Sequence, residues 1–249
     1  MIVFPLHDKN GLLFSHLQKI TPDLKKIFEK VFVSITPLTL ELQKGSVEKL
    51  SKDTLFELIY NPPGTQVGDH FLAGFKTVSE KSNQNQLIHL CTVDRLAYIL
   101  ETEHKEEFLD DISWAEKQNR PVLFQRSAKA WSTHPQNYYA LESASTRVGE
   151  ILFRKTLDFT WCHLVIKAEE LKQILPKFQM HDLTIFAEAV LFLRDKLLTK
   201  KVDWLAWEDP FIFNKDSKKY KEERENDPEE NEKRLSYVIP TIKLLLQHR

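Results

Sequence analysis

Leu87-Ile88-His89-Leu90-Cys91-Thr92-Val93-Asp94-Arg95 is the stretch on which the reading of this chain turns. It is a short, mostly apolar run that stops on an acid and a base. An apolar run of this length reads as a strand buried on both faces of a sheet. In open α/β sheets, ligands sit outside the carboxyl ends of the strands. Asp94 and Arg95 are therefore expected at the mouth of a site, at the end of a strand over residues 87–93.

Outward from this stretch, strand and helix signals alternate. Residues 2–6 read as a first strand, closed by a polar turn at His7 to Gly11. Residues 12–29 place Leu13, Leu17, Ile20, Leu24, Ile27 and Phe28 at helical spacing, with a break expected at Thr21-Pro22, where Thr21 suits a cap and Pro22 a first helical position. Residues 31–35 form a second strand. Strand, helix, strand in so short a span implies parallel pairing and a right-handed crossover. Residues 46–58 read as a polar helix, Asn61-Pro62-Pro63-Gly64 as a loop, and residues 69–78 as a helix weakened by Gly74.

Beyond Arg95, a helix is expected over 97–110 and a strand over 121–125 that ends on Arg126-Ser127. Further helices are expected over 138–148 and 168–175, and strands over 157–166 and 202–207. Between them Asp182 caps an amphipathic helix over 182–198, with Ile185, Phe186, Ala189, Val190, Leu193 and Leu197 on one side. Residues 215–234 carry dense mixed charge and read as a solvated helix or a mobile segment. An amphipathic tail over 236–246 can dock back on the body. The fold class is α/β: a three-layer sandwich around a central, mostly parallel sheet of about six strands. The organisation expected is one α/β domain over 1–213, with 214–249 packing on it.

Bulk properties exclude several classes. The chain has 249 residues, 42% hydrophobic and 29% charged, with a formal net charge of −1. No global field draws it to nucleic acid or an anionic membrane. No stretch approaches the roughly 18 apolar residues of a membrane span. The apolar start lacks a basic leader and a cleavage site, so a cytoplasmic protein is expected. The two cysteines, Cys91 and Cys162, lie in apolar runs and read as buried free thiols in a reducing compartment. Without a His/Cys cluster around them zinc is not expected. The chain has no Gly-x-Gly-x-x-Gly, no P-loop and no Gly-x-Ser-x-Gly elbow, so it lacks the signatures of dinucleotide binding, P-loop NTP binding and serine hydrolysis.

Polar side chains gather where strands are expected to end: His7 and Asp8, Asp94 and Arg95, Arg126 and Ser127, Glu208 and Asp209. Asp94 suits a hard divalent cation, Mn²⁺ or Mg²⁺, which takes carboxylate and phosphate oxygens; pairing with Arg95 or capping the next helix serves it equally. Arg126 offers a planar fork for a diphosphate or carboxylate, or for a structural ion pair. Asp182 is an N-cap that can also serve as a general base. His134 and Glu142 stand where they can face an acceptor, and Trp131, Tyr138 and Tyr139 can stack a sugar or base or pack in the core. Asp158 joins Arg95, Arg126, His134 and Glu142 in the set expected to bind substrate.

The order of these features resembles that of the nucleotide-diphospho-sugar transferases with a GT-A fold. The resemblance covers roughly residues 1–213. It rests on the first strand Ile-Val-Phe-Pro-Leu, the strand ending Thr-Val-Asp-Arg, the strand ending Gln-Arg-Ser, and the segment from Arg126-Ser127 to Thr133-His134-Pro135 with Glu142 beyond. The resemblance implies a nucleotide cradle at the first strand ends, a divalent cation on an Asp-x-Asp motif, and a late Asp as base. Asp94 falls on the second acid of that motif and Asp182 on the base. Thr92 stands where the first acid is expected. With that acid missing, Arg95 or Arg126 can carry charge to the leaving diphosphate, and Glu208-Asp209 can complete a cation site from the other side. The expected partners are a sugar nucleotide and a hydroxyl acceptor, with self-association left open. Two rivals stand beside a glycosyltransferase: a catalytically silent scaffold that binds a partner protein, and a nucleotidyltransferase.

Overall fold

The computed structural model describes residues 1–161 and 163–248. Its centre is a seven-stranded sheet of order β3-β2-β1-β4-β6-β5-β7. The strands are β1 (Ile2–Leu6), β2 (Val31–Ile35), β3 (Phe56–Tyr60), β4 (Leu87–Cys91), β5 (Val122–Arg126), β6 (His163–Lys167) and β7 (Leu198–Val202). Strand β6 alone runs against its neighbours, pairing antiparallel with both β4 and β5. Helices cover both faces, so the molecule is the expected three-layer α/β sandwich.

Alternation within β1 shows how the layers arise. Ile2, Phe4 and Leu6 enter the core on one face, packing with Leu17 and Leu24 of α1 (Leu12–Ile27) and Leu96 of α5 (Val93–Glu101). Val3 enters the core on the other face, with Phe75 of a helix spanning Val67–Lys81. Both faces are apolar, as a strand with crossover helices on each side requires. Residue 74 is glycine because a Cβ there would come within 2.8 Å of Val3 Cγ2.

Several boundaries differ from those read in the sequence. Helix α1 runs unbroken through Pro22, because Phe14, Leu17, Ile20 and Leu24 are all buried on one stripe that holds the helix to the sheet. Residues 46–58 are no single helix: a helix over Lys44–Ser51 gives way to β3, which pairs with β2 from Val31↔Phe56 to Ile35↔Tyr60. As an edge strand β3 buries little, and the polar helix over Lys44–Ser51 just ahead of it hid it. The sheet thus gains a seventh strand.

β4 ends at Cys91, and Thr92 O accepts the N–H of Leu96 to begin α5, so Asp94 sits in a helical first turn rather than on a strand. The last strand falls at 198–202 rather than 202–207, because β7 pairs with β5 from Val122↔Leu198 to Arg126↔Val202. Trp204 and Leu205, past its end, still fill the core. That shift also shortens the amphipathic helix to Ile185–Leu193. The strand expected over 157–166 is β6 at 163–167; Cys162 lies outside the described residues. Cys91 is buried.

The charged stretch after 214 is helical over Ser217–Glu225 and again over Pro228–Gln247, the second helix opened by Asp227, whose side chain accepts the N–H of Glu229. Leu244 and Leu245 of that last helix join the core. Among the described residues no helix is long and apolar enough to cross a membrane.

Candidate functional site

The parallel run β3-β2-β1-β4 reverses direction of growth between β1 and β4, which makes a topological switch point where crevices open at the carboxyl ends of strands. Two adjoining cavities lie there. The first, of about 500 Å³, is lined by Pro5 of β1 and His7 beyond it, Thr36 beyond β2, and Val67 and His70 of the helix over Val67–Lys81. The second, of about 230 Å³, lies toward β5 and β6 and is lined by Arg95, Arg126, His134, Glu142 and Asp209 among others. Phe71, Thr92, Asp94 and Leu183 line both. Asp94 therefore stands on the ridge between them.

Local hydrogen bonds shape the first cavity. The Asp8 carboxylate accepts the backbone N–H groups of Asn10 (3.3 Å), Leu12 (3.1 Å) and Phe14 (2.9 Å), which turns the chain from β1 into α1 through Gly11 at φ +76°. Thr39 Oγ1 accepts the N–H of Asp8 at 2.7 Å. His7 Nδ1 lies 3.1 Å from Thr36 Oγ1. His70 is buried with Nδ1 unpartnered, and burial, then the neighbouring His7, lowers its pKa and favours the neutral ring. Gly68 meets the segment at 181–182 so closely that a Cβ would come within 2.5 Å of Asp182 O, and its N–H donates to His181 O at 2.8 Å. That contact brings Leu183 to the wall of both cavities.

Ion pairs drawn from distant parts of the chain build the second cavity. The Arg126 fork holds Asp158 through Nε (3.0 Å) and Nη2 (2.9 Å), reaches Glu142 Oε2 through Nη1 (2.7 Å), and lies 3.7 Å over the Trp131 ring. Glu142 Oε1 accepts from Arg234 (2.9 Å) and from the Tyr237 hydroxyl (2.7 Å). Burial works against the Glu142 carboxylate, but Arg126 and Arg234 outweigh it and hold its pKa at about 2. Arg234 in turn lies 3.6 Å over the Tyr138 ring, whose hydroxyl donates to Glu230 at 2.7 Å.

Opposite this network is an acidic wall. Arg95 Nη2 lies 2.6 Å from Glu208 Oε2, and its Nη1 donates to Ala206 O. Burial pushes the Glu208 carboxyl up to about 8, against Arg95 and helped by Asp94 and Asp209. Burial, then Asp94, also raises Asp209. Asp94 Oδ1 accepts its neighbour's N–H from Arg95 at 2.8 Å. Among the described residues no group of three or more His, Cys, Asp and Glu side chains has the arrangement to hold a metal ion alone. A Mg²⁺-like cation asks for less, since it uses one or two carboxylates and takes its other ligands from substrate phosphates and water. Asp94 and Asp209 fit that demand.

The fold thus brings Asp94, Arg95, Arg126, His134 and Glu142 to one cavity. None of the five groups expected to bind substrate stands at an open rim; each is 4–6% exposed. Arg95 is only 4% exposed and is held by Glu208, and Asp158 lies behind the wall, where it clamps Arg126. Asp182 lines neither cavity; its Oδ1 accepts the N–H of Thr184 at 2.8 Å, as a cap does. Sequence reading missed Arg234 and Tyr237. Their i, i+3 spacing puts both on one helix face, but the charge around them reads as solvated surface.

No protein-family model matches this chain, and no curated protein sequence matches it. Solved structures do. Glucosyl-3-phosphoglycerate synthase from Mycobacterium tuberculosis, solved with Mn²⁺, UDP and glucosyl-3-phosphoglycerate, is similar over 80% of this chain and 67% of its own, at 8% identity and a TM-score of 0.46. 4-Diphosphocytidyl-2C-methyl-D-erythritol synthase from Anaerococcus prevotii is similar over 88% of this chain and 97% of its own, at 11% identity and a TM-score of 0.46. Likeness at this level does not reach beyond the course of the chain.

Proposed function

We propose that this protein transfers a sugar from a nucleotide-diphospho-sugar to a hydroxyl acceptor. One observation carries the reading: two cavities open side by side at the switch point and meet at Asp94. A donor has two ends to house. The nucleoside occupies the first cavity, which has almost no charge on its walls. The diphosphate lies over the ridge, against the first turn of α5, where backbone N–H groups favour anions. The sugar and its acceptor meet in the second cavity.

In the transfer the acceptor oxygen bonds to the anomeric carbon as the bond from that carbon to the diphosphate oxygen breaks. The electron pair leaves with the diphosphate, and the acceptor's proton passes to a carboxylate. Asp182, the base expected from the sequence, lines neither cavity, so the carboxylate that takes the proton belongs to the wall of the second cavity. A divalent cation held by Asp94 and Asp209 would offset the charge that builds on the departing diphosphate. Arg95, fixed by Glu208, adds a positive group to the same wall.

A thermal-shift and calorimetric panel of UDP-, GDP-, CMP- and dTDP-sugars, with and without Mn²⁺, tests this. Stabilisation by one nucleotide class is expected, weakened at least about tenfold in Asp94→Asn, a loss of about 1.4 kcal/mol. Absence of stabilisation by every nucleotide overturns it. A nucleotidyltransferase would instead answer to a nucleoside triphosphate.

A further inference from the structure

On the reading of a sugar transferase, the second cavity is the acceptor's, and its walls say which acceptor. We infer that it takes a neutral, polyhydroxylated compound, a sugar or polyol, and turns away phosphorylated and carboxylated ones.

The argument starts from where each positive charge goes. Three arginines line the cavity: Arg126 is engaged by the carboxylates of Asp158 and Glu142, Arg234 by that of Glu142, and Arg95 is held by the Glu208 carboxyl group. The Arg126 fork is saturated further by the Thr160 carbonyl at 3.2 Å and hydroxyl at 2.5 Å, and the Arg234 Nη1 also meets the Tyr237 hydroxyl at 2.7 Å. Lys233 stands at the mouth with 63% of its side chain exposed, 3.9 Å from Glu230. An anion entering here must break a buried pair or remain uncompensated in a desolvated site, and both are costly. It must also approach the carboxyl groups of Asp94 and Asp209, which line the same cavity. Sites that reject by repulsion gain specificity in this way.

The remaining surface suits hydroxyl groups and C–H faces. Tyr138, Trp161, Phe186 and Trp207 line the cavity, giving flat apolar area of the kind that receives a sugar ring. His134 supplies a fixed acceptor. Its Nδ1 lies 2.9 Å from Ala130 O, a contact that needs the proton on Nδ1, so Nε2 is left with its lone pair. That Nε2 is buried without a partner, in a side chain only 4% exposed. Burial, with Arg126 and Arg95 nearby, lowers the His134 pKa well below the ordinary value and keeps the ring neutral. A neutral acceptor nitrogen takes a hydrogen bond from a hydroxyl and has none to give to a carboxylate or phosphate.

Ligand-observed NMR and calorimetry on the full chain test the inference with matched probes. Glucose, mannose, myo-inositol and glycerol are compared with glucose 6-phosphate, mannose 6-phosphate, glucuronate and glycerol 3-phosphate. Each is measured alone and with the sugar nucleotide that gives the largest thermal shift. The expected result is binding of at least one neutral probe, with its charged counterpart at least tenfold weaker. Equal or tighter binding of the charged probes, or no binding of any neutral one, overturns it. Because the probes are also measured alone, a missing nucleotide response speaks against the transferase reading and leaves this comparison readable.

Glu142→Gln then removes the carboxylate between Arg126 and Arg234. In the folded variant, checked by circular dichroism, a phosphorylated probe gains at least tenfold, and no gain counts against the charge argument. If the variant does not fold, the wild-type panel decides.

Discussion

The two cavities on either side of Asp94 are built in opposite ways. The first is built from single hydrogen bonds: Asp8 bonds to residues two to six positions on, Thr36 caps the helix that starts at Pro37, and Thr39 to Asp8, His7 to Thr36 and Gly68 to His181 add one bond each across the chain. Its walls are held by ordinary hydrogen bonds and hold almost no charge. The second depends on Arg126, Glu142, Asp158 and Arg234, partners that lie 16 to 92 residues apart. The first cavity is held by separate hydrogen bonds, each replaceable. The second is a network in which one deletion strands several buried charges.

Breaking the network is the severest test of that contrast. Glu142→Ala leaves Arg126 and Arg234 without their shared carboxylate, and stability is expected to fall by about 3–5 kcal/mol in urea unfolding. A loss below about 1 kcal/mol would show that the network is no more critical than the first cavity's bonds.

The seam between the two halves gives the next largest effect. His89 on β4 and His163 on β6 face each other at 3.1 Å, fully buried. Burial holds His163 at about 3 and His89 well below its ordinary value, so both are neutral in the folded chain. The unfolded chain takes up those protons near pH 6.5, so the stability they carry is intact above that pH and drains as pH falls toward about 3. Between pH 7.5 and 5 the loss is about 2 kcal/mol for His163, and His89 adds to it in the same direction. Thermal unfolding across that range measures it, and His163→Phe should flatten the slope.

Smaller effects sharpen the other side. Asp8→Ala removes the carboxylate that starts α1 and is expected to cost about 1–2 kcal/mol in the same denaturation assay, as the loss of an N-cap does. It should do so without disturbing the tyrosine and arginine contacts around Glu142. Arg147→Ala, at an exposed pair with Glu150 at 2.6 Å, sets the floor: less than about 0.5 kcal/mol, erased by salt.

The same contrast decides what could be read from the sequence. β1, α1, β2 and the ridge at Asp94 follow from periodicity and turn chemistry, which are local. β3 was hidden because the polar helix over Lys44–Ser51 leads into it after a short turn, and β7 was displaced because its register is set by β5 rather than by its own residues. Arg126 could be recognised as a fork suited to either a ligand or an ion pair, but the sequence cannot say which. The choice belongs to Asp158 and Glu142, brought in by other elements. Arg234 was invisible for a related reason. Its segment is polar enough to pass for surface, and only the packing of the last helix against the helix over Gln136–Phe153 shows which face is covered.

Glu142 meets Arg234 across 92 residues. A ribosome adding roughly 5–20 residues per second needs several seconds to go from one to the other. From residue 183 onward the nascent chain holds every residue that lines the first cavity, while Glu142 still waits for Arg234. Translation order thus sets assembly order, and the interval before the last helix arrives is when a chaperone has most to protect.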